Sequence, residues 1–134
     1  MQRTLVLIKP DAVARKLVGR ILARFEDAGF ELVCGRMEKL TRERAEGFYA
    51  EHRQRDFFAG LVEYITSGPL LELVLERPDA VARARQIVGA TEPLTAAPGT
   101  IRADFGANVR YNCVHASASP EDAAREVKYL FPEL

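Results

Sequence analysis

Short apolar runs of strand length alternate with stretches of helical periodicity along this chain, and that order restricts its fold more than any other feature. Thr4 to Ile8 is β-branched and leucine-rich and stops before Pro10, which cannot continue a sheet ladder, so Lys9 is expected at a strand end. Leu17, Ile21 and Phe25 then repeat at helical spacing, Leu22 and Ala28 widen the stripe, and Gly29 stands where a helix end wants positive φ. Leu32 to Met37 reads as a second strand, and Thr41 caps a helix whose inner face uses Ala45, Phe48 and Tyr49; Phe57 and Phe58 follow in a less regular stretch. Ser67-Gly68-Pro69 is a turn signal before the strand-length run Leu70 to Leu75. Pro78 is placed to open a helix at its first position; that helix carries Val81 and Arg85 and closes at Gly89. From Ala90 to Asp104 the pattern lapses into Thr, Pro, Gly and Ala, a connection long enough to suggest binding groups. Asn112 to Ala116 is the last strand, and Ser119-Pro120-Glu121-Asp122 starts a helix with Ala123, Val127 and Leu130 inward. Four strands alternating with four helices predict a two-layer α/β sandwich of ferredoxin-like type.

At 134 residues, 48% of them hydrophobic, the chain is the length of one domain, expected to span residues 1–134. Lys+Arg and Asp+Glu both number 19, so the basic footprint of a nucleic-acid-binding protein is missing and any anion site must be local. The first apolar run is too short for a signal-peptide core, and no stretch approaches a membrane span, which points to a soluble protein. Cys34 and Cys113 stand apart, without disulfide or zinc spacing, so the cytoplasm is the expected compartment and no protein-held metal is expected.

The chain has neither a P-loop nor a dinucleotide fingerprint, so a bound phosphate would have to be held by side chains. Of its two histidines, His52 lies among Glu51, Arg53 and Arg55 as a solvated residue would, whereas His115 sits in an apolar strand. His115 is therefore the candidate for chemistry, although a lone strand histidine is more often a satisfied core residue. Glu126 falls at the edge of the buried stripe of the following helix, where its carboxylate needs a partner; by spacing alone a half-exposed glutamate is equally expected. If it accepts a hydrogen bond from Nδ1–H of His115, Nε2 keeps a lone pair able to attack phosphorus. Lys9, Arg85 and Arg102 come from separate elements and could converge on one pocket, as phosphoryl transfer requires, though each alone reads as a surface charge.

The segments Ile8-Lys9-Pro10-Asp11, Thr66-Ser67-Gly68-Pro69, Pro98-Gly99-Thr100-Ile101-Arg102 and Asn112-Cys113-Val114-His115-Ala116-Ser117 resemble those of nucleoside diphosphate kinases in order and spacing. The resemblance covers the whole chain. It implies a four-stranded antiparallel sheet flanked by helices, ping-pong exchange between nucleoside triphosphates such as ATP or GTP and nucleoside diphosphates, Mg²⁺ on the nucleotide, and a homo-oligomer, hexameric or tetrameric. It also implies that His115 becomes phosphohistidine, that Glu126 orients its ring, and that Ser117 supplies a hydroxyl beside it. Lys9, Arg85, Thr91, Arg102 and Asn112 match positions that hold phosphates and ribose, with Tyr49 close to Lys9. Phe57 matches the aromatic on which the base stacks, with Val109 across from it. The chain departs from the family pattern at Ala12, Ala103 and Ala116, where glycine is usual, and at Asp56 and Ala59, where proline is. Ala118 replaces an aspartate that helps position metal-bound water. A nucleotide-binding regulatory protein without turnover is the alternative; a nucleic-acid-binding module would need aromatics along a basic groove, which this chain does not offer.

Overall fold

A computed structural model describes residues 1–109 and 111–134. Along it run β1 (Gln2–Ile8), α1 (Pro10–Ala14), α2 (Val18–Asp27), β2 (Glu31–Glu38), α3 (Arg42–Phe48) and a 3₁₀ turn, Ala50–His52. Next come α4 (Phe58–Ile65), β3 (Leu70–Arg77), α5 (Ala80–Val88), a second 3₁₀ turn (Pro93–Thr95), α6 (Ile101–Phe105), β4 (Val114–Ala116) and α7 (Pro120–Leu130).

The strands form one antiparallel sheet in the order β2-β3-β1-β4, the arrangement of a ferredoxin-like core. β1 lies inside it and is buried on both sides. Val6 and Ile8 join a core with Ile21 and Phe25 of α2 and Ala80, Ala84 and Val88 of α5. Leu5 and Leu7 point the other way, into a core with Phe48 of α3, Val62 and Ile65 of α4 and Leu130 of α7. That double burial is why Thr4 to Ile8 reads as an unbroken apolar run instead of an alternating one. The ferredoxin-like layer of α2 and α5 is as expected; the opposite face carries a further helical layer.

Local capping explains the helix starts that the sequence announces. Thr41 Oγ1 accepts from Arg44 N at 3.1 Å, and Ser119 Oγ accepts from Asp122 N at 3.1 Å with Pro120 at the first helical position. Gly29, just after α2, has φ +86°. Four expectations are corrected. Pro78 does not open α5: Asp79 precedes the helix at φ +55°, and the orphan N–H of Val81 donates to Gln2 Oε1 at 2.9 Å, so the cap comes from β1. The stretch after Phe57 is a helix, α4, whose Val62 and Ile65 reach the second core only because α3 lies beside it. Arg102 lies on α6, not in an irregular connection; Thr100 caps that helix by accepting from Ala103 N. Finally, β4 begins at Val114, because Cys113 takes φ +76° and leaves the ladder, while its carbonyl accepts from Lys9 N at 2.8 Å. Among the described residues no helix is long and apolar enough to cross a membrane.

Candidate active site

Three element ends meet around one cleft of about 1040 Å³: the end of β1, the start of β4, and the connection between α5 and β4. Lys9, Tyr49, Phe57, Arg85, Thr91, Arg102, Val109, Asn112, His115 and Glu126 all line it, so ten of the eleven residues singled out in the sequence face one space. The eleventh, Ser117, is buried behind Glu126.

His115 is the middle residue of β4, paired across the sheet with Leu7 and touched edge-on by Phe48 at 5.3 Å between ring centres. α7 returns across the same face and brings Glu126 to it. The two meet through Nε2 of His115, 2.9 Å from Glu126 Oε1. This corrects the expectation that Nδ1 would be the held nitrogen. Spacing along a helix can place a carboxylate near a ring but cannot choose between its nitrogens; the sheet-to-helix geometry presents the far one. An ionised carboxylate only accepts, so Nε2 carries the proton and Nδ1 keeps the lone pair. The same Oε1 accepts from Ser117 Oγ at 2.8 Å, and Ser117 Oγ accepts in turn from Leu5 N at 3.3 Å. Ser117 thus fixes the carboxylate that fixes the ring.

The cations are held before any ligand arrives. Lys9 Nζ donates to Asn112 Oδ1 at 3.0 Å and lies 5.9 Å from the centre of the Tyr64 ring. Asn112 Nδ2 donates to the carbonyls of Thr91, at 3.1 Å, and Val109, at 2.9 Å, so one amide joins three parts of the wall. Arg102 donates to Gly89 O at 3.1 Å and Val114 O at 2.8 Å, while its Nε is buried without a hydrogen bond. Arg85 Nη1 lies 3.4 Å from Ala116 O. Burial, and then the neighbouring Arg102, hold Lys9 down to about 8; burial, and then Arg85, bring Arg102 down to about 10. Neighbouring cations lowering one another in a cleft is the electrostatics of a site made for an anion. Tyr49 Oη is buried with no hydrogen-bond partner, and burial together with the charge on Glu126 keeps it above its usual range.

Phe57 and Val109 are 47% and 53% exposed, an unusual state for apolar side chains in a cleft and one that leaves surface for a planar group. His52, assigned to solvent in the sequence, belongs to the same wall: its ring centre lies 6.2 Å from that of Tyr49 and 5.5 Å from that of Phe57. Its charged neighbours gave no hint of this, because the 3₁₀ turn that rotates the ring inward is itself hard to read locally. Asp122 and Glu51 also line the cleft, as does Ala118. Among the described residues no group of three or more His, Cys, Asp or Glu side chains could hold a metal ion.

A family model described as nucleoside diphosphate kinase matches residues 2–134. The nucleoside diphosphate kinases of Bordetella pertussis and Bordetella bronchiseptica are each 52% identical over 134 residues, covering 100% of this chain and 95% of theirs. Among solved structures, the Aquifex aeolicus nucleoside diphosphate kinase superposes with a TM-score of 0.95 at 44% identity, covering 97% of this chain and 94% of that one. The halophilic nucleoside diphosphate kinase of Halobacterium salinarum, solved in complex with CDP, gives 0.93 at 44% identity, covering 97% and 87%. With a match over nearly its whole length and the family's segments gathered around one cleft, this chain belongs to the nucleoside diphosphate kinase family.

Proposed function

We propose that this protein, read as one domain over residues 1–134, is a nucleoside-diphosphate kinase that passes the γ-phosphoryl group between nucleotides through phosphohistidine at His115, on Nδ1. The observation that carries the reading is the 2.9 Å contact between His115 Nε2 and Glu126, which leaves the Nδ1 lone pair on a residue lining the cleft that also holds Lys9, Arg85 and Arg102. In the first half-reaction Nδ1 attacks the γ-phosphorus, the bond to the β–γ bridging oxygen breaks, and the diphosphate leaves with that electron pair. In the second, a bound diphosphate takes the phosphoryl group back. Lys9, Arg85 and Arg102 stabilise the charge that spreads over the equatorial oxygens, and the unpartnered Arg102 Nε and Tyr49 Oη are donors available to the same anion. Thr91 and Asn112 position phosphate and ribose. Phe57 and Val109 clasp the base through stacking and apolar contact, which suits a range of bases because no hydrogen-bond code is read.

Mg²⁺ fits this cleft as an ion carried on the nucleotide phosphates, since it keeps several waters and the protein's donors here are arranged for phosphate. When bound it would neutralise phosphate charge; Glu51, Glu92 and Asp122 are carboxylates at the cleft able to accept from its waters, and Ala118 is not. ATP, GTP and the corresponding diphosphates are the implied substrates, a hexamer or tetramer the implied assembly, and the cytoplasm, where Cys34 and Cys113 stay reduced, the implied compartment.

Incubation with γ-labelled ATP tests the reading. Acid-labile, base-stable label should appear on the wild type, leave on addition of a nucleoside diphosphate, and be missing from His115→Ala. Undiminished exchange in His115→Ala overturns the mechanism, and an unlabelled wild type would favour a nucleotide-binding role without turnover.

A further inference from the structure

Arg125 stands on α7 next to Glu126 and takes no part in the chemistry described above. Its Nη2 lies 3.1 Å from Asp122 Oδ1, 3.2 Å from Glu51 Oε1 and 3.7 Å from Glu126 Oε2. The first contact is a turn of its own helix. The second crosses to the 3₁₀ turn Ala50–His52, 74 residues earlier, which also carries His52 and leads to Phe57. The third reaches the oxygen of Glu126 that His115 and Ser117 leave over. One guanidinium therefore touches both the wall that would stack the base and the carboxylate that orients the acceptor ring.

We propose that Arg125 is a positioning residue that ties the base-stacking wall to the His115–Glu126 pair, so that nucleotide binding and ring orientation depend on one side chain. The proposal rests on the phosphotransfer reading. Arg125 is 43% exposed, and any one of its pairs alone would contribute little. The combination is different, because a side chain ordered once serves two acceptors, Asp122 and Glu51, and stands 3.7 Å from a third carboxylate, Glu126. Glu51, Asp122 and Glu126 all line the cleft, and Arg125 links them across α7 and the 3₁₀ turn. Without it, the Glu51 turn loses its anchor on α7.

The test compares wild type, Arg125→Met, Arg125→Lys and Glu51→Gln, alone and combined. It uses steady-state exchange, calorimetric affinity for ADP, and thermal unfolding. Arg125→Met should raise KM and weaken ADP binding by about five-fold, roughly the effect of losing a small charge network, with part of the loss restored in Arg125→Lys. Glu51→Gln should reproduce part of the effect, and Glu51→Gln with Arg125→Met should fall short of the product of the single changes, because both remove one contact. A KM and an ADP affinity within about two-fold of wild type in Arg125→Met would overturn the proposal, as would independent multiplication of the two single effects. A loss of melting temperature alone, with binding unchanged, would make Arg125 merely a helix residue. Because ADP affinity is read apart from turnover, an inactive wild type would end the phosphotransfer reading while still deciding the role of Arg125.

Discussion

His115 and Glu126 show how much of the proposed chemistry hangs on one hydrogen bond. Glu126 is buried, and its Oε1 is shared between Nε2 of His115 and Oγ of Ser117, so the carboxylate cannot turn away without breaking both contacts. Glu126→Gln keeps the shape but removes the charge and offers an amide where only an acceptor serves. Phosphorylation of His115 should slow by between about ten-fold and about 10⁴-fold, the range spanned by partners that orient a ligand or set a tautomer. Rapid-quench labelling measures it, and an unchanged rate would remove Glu126 as the orienter. Lys9 yields a prediction with a definite sign. Its folded value, about 8, lies below its ordinary 10.5, so between those values the unfolded chain holds a proton that the folded one has released. Stability of the free protein therefore carries the full penalty below about pH 8 and recovers as pH rises toward 10.5. A bound phosphate favours the charged lysine, so nucleotide binding near pH 9 should take up a proton, and affinity should fall as pH rises above about 8. Calorimetry in two buffers of different ionisation enthalpy reads that proton; identical heats would refute it.

Helix ends, more than helix bodies, bring the cations into the cleft. Gly89 closes α5 at φ +90°, and its carbonyl accepts from Arg102 on α6, so one residue joins the element bearing Arg85 to the element bearing Arg102. A Cβ built there would lie 2.5 Å from Thr100 Oγ1 and 2.7 Å from Thr100 Cβ, and Thr100 is the cap of α6. Gly89→Ala is therefore strained in its backbone and displaces a cap at once. Urea unfolding should show a loss of about 1–3 kcal/mol, accompanied by weaker nucleotide binding as Arg102 shifts. A variant as stable as wild type, with unaltered affinity, would mean that this junction does not set Arg102. The caps at Thr41 and Ser119 and the stop at Gly29 were legible because each is a local device: a side chain or a missing Cβ acts within a few residues. α4 was not, since its apolar residues gain a core only with residues of other elements, among them Leu5, Leu7, Phe48 and Leu130, and neither was the start of α5, whose capping oxygen belongs to Gln2.

At the scale of the molecule β2 and β4 are the edge strands of the sheet, and on the longer one, β2, Leu32 and Met37 are 48% and 50% exposed. An edge strand with exposed apolar side chains is a surface that proteins usually cover. The hexamer or tetramer proposed above accordingly predicts a solution mass six or four times the 14.9 kDa of the chain, to be read by light scattering. A monomeric mass at micromolar concentration would overturn it. The chain as a whole is charge-balanced, with 19 cations against 19 acids, so the group of cations in the cleft comes from gathering Lys9, Arg85 and Arg102 at one place and not from overall charge.

By itself the sequence determined the order of the four strands and of α2, α3, α5 and α7, most of the local caps and the candidates for chemistry, because periodicity, capping and motif spacing act over short stretches of chain. It also pointed to His115 over His52 as the reactive histidine, and to Lys9, Arg85 and Arg102 as cations in need of a common target. Only the tertiary structure decided what depends on residues far apart in sequence. Sheet order set β4 beside β1, α7 then met His115 from the side that presents Nε2, and Asn112 closed a bridge between Lys9, Thr91 and Val109. His52 reached the cleft wall, and Arg125 reached Glu51, by the same route. Which nitrogen is free, and which side chains share a cleft, are properties of the packing of elements, and no local pattern contains them.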